Sequence, residues 1–251
     1  MQKKRSWKNA VLLFFFLVVL HFPFVFFSKK SHASEKYPLA VKVERIVTKT
    51  AEVSYAASAY SSIGLSEKGL SFEAFDYAIK GRDYLVNKRG LAKDKIITVV
   101  DFTKPSTEKR LYVIDLENEN VLFHTYVAHG QKTGLKNAEQ FSNTPESLQS
   151  SLGFFETLGT YNGKHGYSLK LSGVENGIND KAESRAIVIH SAPYVSEGFI
   201  KSQGYLGRSW GCPALPETLN KPIIDLIKNG SCLFIYSNNK DYFERSKIIN
   251  S

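Results

Sequence analysis

The alternation of apolar and polar positions changes character twice along this chain. Ala10 to Phe27 is an apolar run broken only by His21, with Lys3, Lys4, Arg5 and Lys8 before it and Lys29 and Lys30 after it. Ser31, His32 and Ala33 then give a small-x-small triplet, so a positive start, an apolar middle and small residues follow in the order of an export leader. Residues 1–33 are read as a signal peptide; the alternative is an uncleaved inner-membrane anchor, because about 18 apolar residues almost span a bilayer. Pro23 and the cleavage-like triplet favour removal, and either way the remainder is exported to the periplasm or cell envelope. From Ser34 to about Lys95 the spacing is helical. Ser71 predicts an N-cap, and Phe72, Phe75, Ile79 and Val86 fall on one side of the helix that follows. Residues 34–95 are expected to pack against the rest and to carry no chemistry.

At Ile96 the period shortens to that of strands. Ile96–Val100 is one apolar run, and Leu111–Ile114 and Val121–Phe123 flank the polar turn Glu117–Asn120 as a hairpin. Further strands are predicted at Gly153–Leu158, Tyr167–Leu171, Ala186–His190 and Cys232–Tyr236. One late helix is expected after Asn220 as cap, with Pro222 in its first turn, Ile223, Leu226 and Ile227 facing the sheet, and an end at Asn229 and Gly230. Many short strands with one clear late helix predict a mainly β fold, a sandwich or barrel-like core over residues 96–240, followed by a tail over 241–251.

With 43% hydrophobic and 13% aromatic residues in 251, the chain can bury a core, which excludes disordered and fibrous classes. The net charge of +9 suggests nucleic acid until its location is considered. Six bases and no acid lie in the leader; without them 27 basic residues face 24 acidic ones, a net +3. No aromatic-basic stripe or nucleic-acid fold signature accompanies the charge, so no nucleic-acid partner is expected. Cys212 and Cys232 are too few for a disulfide scaffold or a cysteine zinc cluster. His124 and His129 stand five apart across a strand end with no acidic cluster, a poor metal geometry, so neither metal nor cofactor is expected.

The chemistry concentrates in Ile187-Val188-Ile189-His190-Ser191 and Gly207-Arg208-Ser209-Trp210-Gly211-Cys212-Pro213. A histidine at the end of an apolar strand is held by a sheet, and a cysteine after Ser-x-Gly sits in a tight turn. Imidazole supplies the base that a thiol needs, and N–H groups of Trp210, Gly211 and Cys212 converging in the turn would stabilise an oxyanion. These parts describe acyl transfer by a Cys/His pair. The competing reading is a Cys212–Cys232 disulfide, but Cys232 lies in a run that looks like a buried core strand. Gly207–Gly211 also fits the G-x-S-x-G nucleophile elbow, with Ser209 attacking; that fold needs a histidine after the serine, and none follows His190. Papain-like enzymes place cysteine before histidine, and sortases keep a longer interval and an arginine after the cysteine's strand.

Histidine followed at a short interval by Ser-x-Gly-Cys resembles the L,D-transpeptidase catalytic domain, in its YkuD-like branch carrying Gly-Arg-Ser-Trp-Gly-Cys-Pro-Ala. Val127-Ala128-His129-Gly130, Phe141-Ser142-Asn143-Thr144-Pro145, Ser150-Ser151-Leu152-Gly153 and Tyr161-Asn162-Gly163-Lys164-His165-Gly166 add to the resemblance, which runs from about Ile96 to Tyr236 and loosely back to Leu65. It implies a β-rich fold in which Cys212 attacks an L,D-peptide bond of a peptidoglycan stem and His190 acts as general base. Either an amine of a neighbouring stem accepts the acyl group, giving a 3→3 cross-link, or water does, giving carboxypeptidase trimming. The alternative is a catalytically silent cell-wall binding protein of the same fold. Ser191 is expected to orient the imidazole and Ser209 to fix the turn. Two departures stand out: Ala214 where most members have arginine, and Ser191 where most have glycine. Arg208 is a candidate replacement for the missing carboxylate-binding charge, with a solvated surface arginine as the alternative. His165, in a glycine-flanked loop, is weighed as a substrate contact or proton carrier against an ordinary surface histidine.

Overall fold

The computed structural model describes residues 55–251. The leader and the first part of the helical segment lie outside the described residues. Residues 55–62 are helical, and α1 (Phe72–Arg89) follows. Ser71 caps it as expected, its Oγ accepting from Ala74 N–H at 3.2 Å, and Gly90 closes it in the left-handed conformation at φ 67°. The buried face consists of Ala74, Phe75, Ala78, Ile79, Gly81 and Leu85. Phe72 is exposed and Val86 only half-buried, so the core-facing stripe is set by small residues that let the helix approach the sheet closely.

The seven strands predicted from the sequence, and the unpredicted β7, join one eight-stranded sheet: β1 (Ile96–Asp101), β2 (Leu111–Asp115), β3 (Asn120–Thr125), β4 (Gly153–Gly163), β5 (Gly166–Gly173), β6 (Val188–Ser191), β7 (Ala214–Leu215) and β8 (Cys232–Tyr236), in the order β3-β2-β1-β8-β4-β5-β6-β7. The β2–β3 hairpin forms about the predicted turn. β1 and β8 pair in parallel at the centre, Ile97 opposite Cys232. A central parallel pair is covered on both faces, which explains why these two read as continuous apolar runs rather than alternations. Two parallel pairs, β1 with β8 and β6 with β7, each need a long crossover, so the site-bearing β6–β7 pair is assembled from segments far apart in the chain.

α1 packs on β1 and β8. At that contact Gly81 faces Phe154, which stacks on Phe234 at 4.2 Å between ring centroids. Among the described residues three further helices follow: α2 (Glu197–Gln203), α3 (Glu217–Ile227) and α4 (Lys240–Arg245). α3 is the late helix, but it begins one turn earlier than expected, after Pro216, and ends at Ile227. Asn220 does not cap it: the residue is buried inside the helix and its amide donates to the Tyr167 carbonyl at 2.8 Å, tying α3 to β5. Pro222 therefore lies in the second turn, where Thr218 loses its intrahelical donor; both residues are exposed, so water replaces that bond.

The stretch read as a tail is packed. Tyr242 and Ile248 are buried, and Glu175 accepts from Phe154 N–H at 2.8 Å, from the Tyr242 hydroxyl at 3.1 Å and from Ser246 Oγ. One buried carboxylate thus fixes both the start of β4 and the C-terminal helix. Among the described residues no helix is long and apolar enough to cross a membrane.

Candidate active site

His190 is the third residue of β6, opposite Ala214 of β7 in parallel register. Cys212 precedes that register position by two residues, which sets it beside Val188, and the Val188 N–H points at its Sγ. The thiol donates to the Ala186 carbonyl at 3.6 Å. His190 on β6 and Cys212 in the turn before β7, 22 positions apart in sequence, are thereby carried by neighbouring segments. Both cysteines are free; Cys232 is fully buried in β8 and burial pushes its thiol up to about 12, so the alternative disulfide is absent and Cys232 is inert.

His190 is 3% exposed. Its Nδ1 lies 2.9 Å from the Ser191 carbonyl, which only accepts, so Nδ1 carries the proton and Nε2 keeps its lone pair. Burial lowers its pKa below the usual histidine range, aided by His165, and holds the ring neutral. Ser191 thus orients the imidazole through its backbone carbonyl, not its hydroxyl. His165 is exposed, and its ring stacks on His190, centroids 4.5 Å apart.

The turn before Cys212 is held by its own side chains and by a loop. Ser209 Oγ donates to the Cys212 carbonyl at 2.6 Å and accepts from Gly211 N–H at 3.0 Å. This corrects the expected oxyanion trio, because the Gly211 N–H is already used; among the described residues no acceptor takes the N–H of Trp210 or Cys212. Ser209 also bonds both ways with the segment before it, its N–H to the His129 carbonyl at 2.9 Å and its carbonyl to Gln131 N–H at 2.8 Å. Gly211 has φ +124°, and a Cβ there would lie 2.6 Å from the Gln149 carbonyl oxygen. Only glycine fits such a close approach. Trp210 stands beside the turn, 73% exposed.

Ser150 closes the arrangement, its Oγ donating to the Gly211 carbonyl and accepting from Gly130 N–H, both at 3.0 Å. Behind Gly130, His129 is buried; Arg110 donates to its Nδ1 at 2.8 Å and its Nε2–H reaches the Gly134 carbonyl at 3.2 Å. Burial, and then the Arg110 charge, push His129 down to about 3, so it is neutral and structural. The fully buried Arg110 is pushed down to about 9 and stays charged at neutral pH.

Arg208 does not face Cys212. Its guanidinium is 3.3 Å and 3.4 Å from the carbonyls of Gln131 and Gly134 and lies over the Tyr205 ring. The cation acting on Cys212 is Arg185, which the sequence reading missed. Burial raises the Cys212 pKa, and Val188 N–H and Arg185 lower it. On the other side Tyr194 is pushed up to about 12 by burial and by Cys212. A raised thiol pKa and a lowered imidazole pKa leave both groups in their neutral forms, with no standing ion pair. A separate cavity of about 370 Å³, between Lys109, His124, Glu197 and the start of α3, includes neither Cys212 nor His190.

The family model described as L,D-transpeptidase catalytic domain matches residues 66–236. No match was found among curated proteins. Solved structures that align with the chain include an L,D-transpeptidase from Mycobacterium smegmatis, at 15% identity and TM-score 0.37 over 57% of this chain and 59% of that one. The helical cell shape determining protein Pgp2 from Campylobacter jejuni aligns at 14% identity and TM-score 0.40, over 65% and 57% of the two chains. L,D-transpeptidase 1 from Mycobacterium tuberculosis aligns at 14% and 0.32, over 57% and 62%. The chain thus spans less than two thirds of the length of these solved chains. Since the family model spans well over half of the sequence and its histidine, turn and cysteine segments, this chain belongs to the L,D-transpeptidase catalytic domain family.

Proposed function

We propose that this protein is an exported peptidoglycan L,D-transpeptidase that uses Cys212 as nucleophile and His190 as general base. The observation that carries the reading is a free, half-buried thiol in the turn that leads into β7, next to the strand β6 whose neutral His190 imidazole has its Nε2 left unprotonated by the Nδ1 bond to Ser191. On this reading the thiol turns from the Ala186 carbonyl toward Nε2 as the substrate enters. His190 takes the proton while Sγ attacks the carbonyl at the L-centre of the donor stem's third residue. The N–H groups of Trp210 and Cys212, which have no acceptor in the turn, receive the oxyanion. Imidazolium returns the proton to the departing D-alanine amine, leaving a thioester. A side-chain amine of a neighbouring stem then forms the 3→3 cross-link, or water releases a trimmed stem, and His190 removes a proton from either acceptor. His165, stacked on the imidazole and open to solvent, is placed to meet substrate as it enters.

Incubating sacculi with the protein and identifying muropeptides by mass tests this directly. Cross-linked or trimmed stems are expected with the native chain and none with Cys212→Ala. A carbapenem is expected to add one adduct to the folded native protein, at Cys212. A folded native protein that alters no muropeptide and takes no adduct is the silent binding protein instead.

A further inference from the structure

Arg185 makes four side-chain hydrogen bonds. One terminal nitrogen donates to the Ser142 carbonyl at 2.7 Å and to Ser151 Oγ at 2.5 Å. The other donates to the Gln149 carbonyl at 2.7 Å and to Ser147 Oγ at 3.2 Å. All four terminal N–H groups are thereby spent on one loop, and that loop is the one whose Gln149 carbonyl presses on Gly211 and whose Ser150 bonds the Gly211 carbonyl. The next residue, Ala186, has φ 52°, a left-handed conformation that costs a non-glycine residue energy. That turn aims the Ala186 carbonyl at Cys212 Sγ while Arg185 reaches across to the loop. Strain of this kind persists only where the surroundings over-determine it, here by four hydrogen bonds.

We propose that Arg185 is a positioning residue for the Cys212 nucleophile: its guanidinium clamps the 142–151 loop against the Ser209–Cys212 turn, and its fixed charge favours the thiolate that forms during attack. It rests on Cys212 being the nucleophile. With its terminal donors occupied, Arg185 does not serve as a carboxylate receptor. Its work is to hold the cradle and to supply the positive charge that the site otherwise lacks, since Arg208 is turned toward Gln131 and Gly134. The other titratable groups around the thiol are His190 on β6, with His165 stacked on it, and Tyr194 beyond β6; a neutral His190 imidazole and a neutral phenol do not replace a cation.

The test is the pH profile of Cys212 alkylation by iodoacetamide in folded protein, for the native chain, Arg185→Met and Arg185→Lys, with thermal unfolding measured alongside. Cys232 is buried, so the single adduct reports Cys212. Losing the charge is expected to raise the thiol pKa by about one unit, cutting thiolate about tenfold at neutral pH. Thiolate nucleophilicity rises about threefold for the same shift, so the neutral-pH rate falls about threefold while the alkaline plateau rises about threefold. Lysine keeps the charge and should keep the native midpoint while losing part of the clamp. A lowered rate with an unmoved midpoint in folded Arg185→Met would show a merely structural arginine and overturn the charge role. If methionine prevents folding, Arg185→Lys decides: a midpoint shifted as far as one unit despite the retained charge overturns it equally. Native protein that alters sacculi while both variants titrate as native refutes only this inference, whereas native protein that neither alkylates nor alters sacculi refutes the function on which it rests.

Discussion

Replacing Gly211 with alanine separates the shape of the turn from its chemistry, because the residue contributes no side chain and spends its N–H and carbonyl on Ser209 and Ser150. The added Cβ would sit 2.6 Å from the Gln149 carbonyl oxygen, against an ordinary contact of 3.4 Å or more. The turn and the 142–151 loop must therefore part by most of an ångström. A φ of +124° adds strain for any residue with a Cβ, about 1–3 kcal/mol by general experience. For a domain of this size each kcal/mol lowers Tm by about 2–4 °C, so a fall of roughly 2–12 °C is expected by circular dichroism. The catalytic effect is larger in proportion. A displacement of about 1 Å at the attacking atom costs on the order of a hundredfold, about 2.7 kcal/mol in the barrier. Muropeptide formation should fall by about that factor while the protein remains folded. Gly159→Ala is the control: a Cβ there meets nothing within 4 Å, and both stability and activity should stay near native. A folded Gly211→Ala protein with native activity would refute the view that this close approach positions Cys212.

Two further perturbations test the scaffold. Gly81→Ala should gain about 1 kcal/mol of helix propensity yet lose stability overall, because its Cβ would lie 1.9 Å from a Phe154 ring carbon that is stacked against Phe234 and has no room to move. A net loss of about 1–2 kcal/mol is expected in urea unfolding, and a more stable variant would rule out the tight helix-to-sheet contact. Below neutrality His129 dominates: the unfolded imidazole titrates near 6.5 and the folded one near 3, so the unfolded state binds the proton across that window. Stability should be full above pH 6.5 and fall steadily toward pH 3, with buried His190 and half-buried His124 adding in the same direction. His129→Gln still offers Arg110 an acceptor and Gly134 a donor and should flatten the slope; an unchanged slope would place its origin elsewhere.

Local sequence was enough wherever one segment satisfies its own requirements. Ser71 names the cap of α1 because a hydroxyl three residues before a free N–H needs nothing else, and the runs at Ile96 and Cys232 announce buried central strands because both faces are covered. Residue types and order single out Cys212 and His190 as candidates, and Ser209 braces the turn between Gly207 and Cys212 through its own neighbours. The sequence could not show what depends on where a donor ends up. Arg185 and Arg208 look alike on paper, yet the left-handed Ala186 sends the first across to the 142–151 loop while the second is turned back onto Gln131 and Gly134. The Gly211 N–H looked available until Ser209 was seen to accept it, and Asn220 looked like a cap until Tyr167 took its amide. Residue identity and short-range period decide which atoms are present and which segments bury themselves; the allocation of each hydrogen bond among segments scores of residues apart is a property of the closed sheet, and it decides which of those atoms remain free to act.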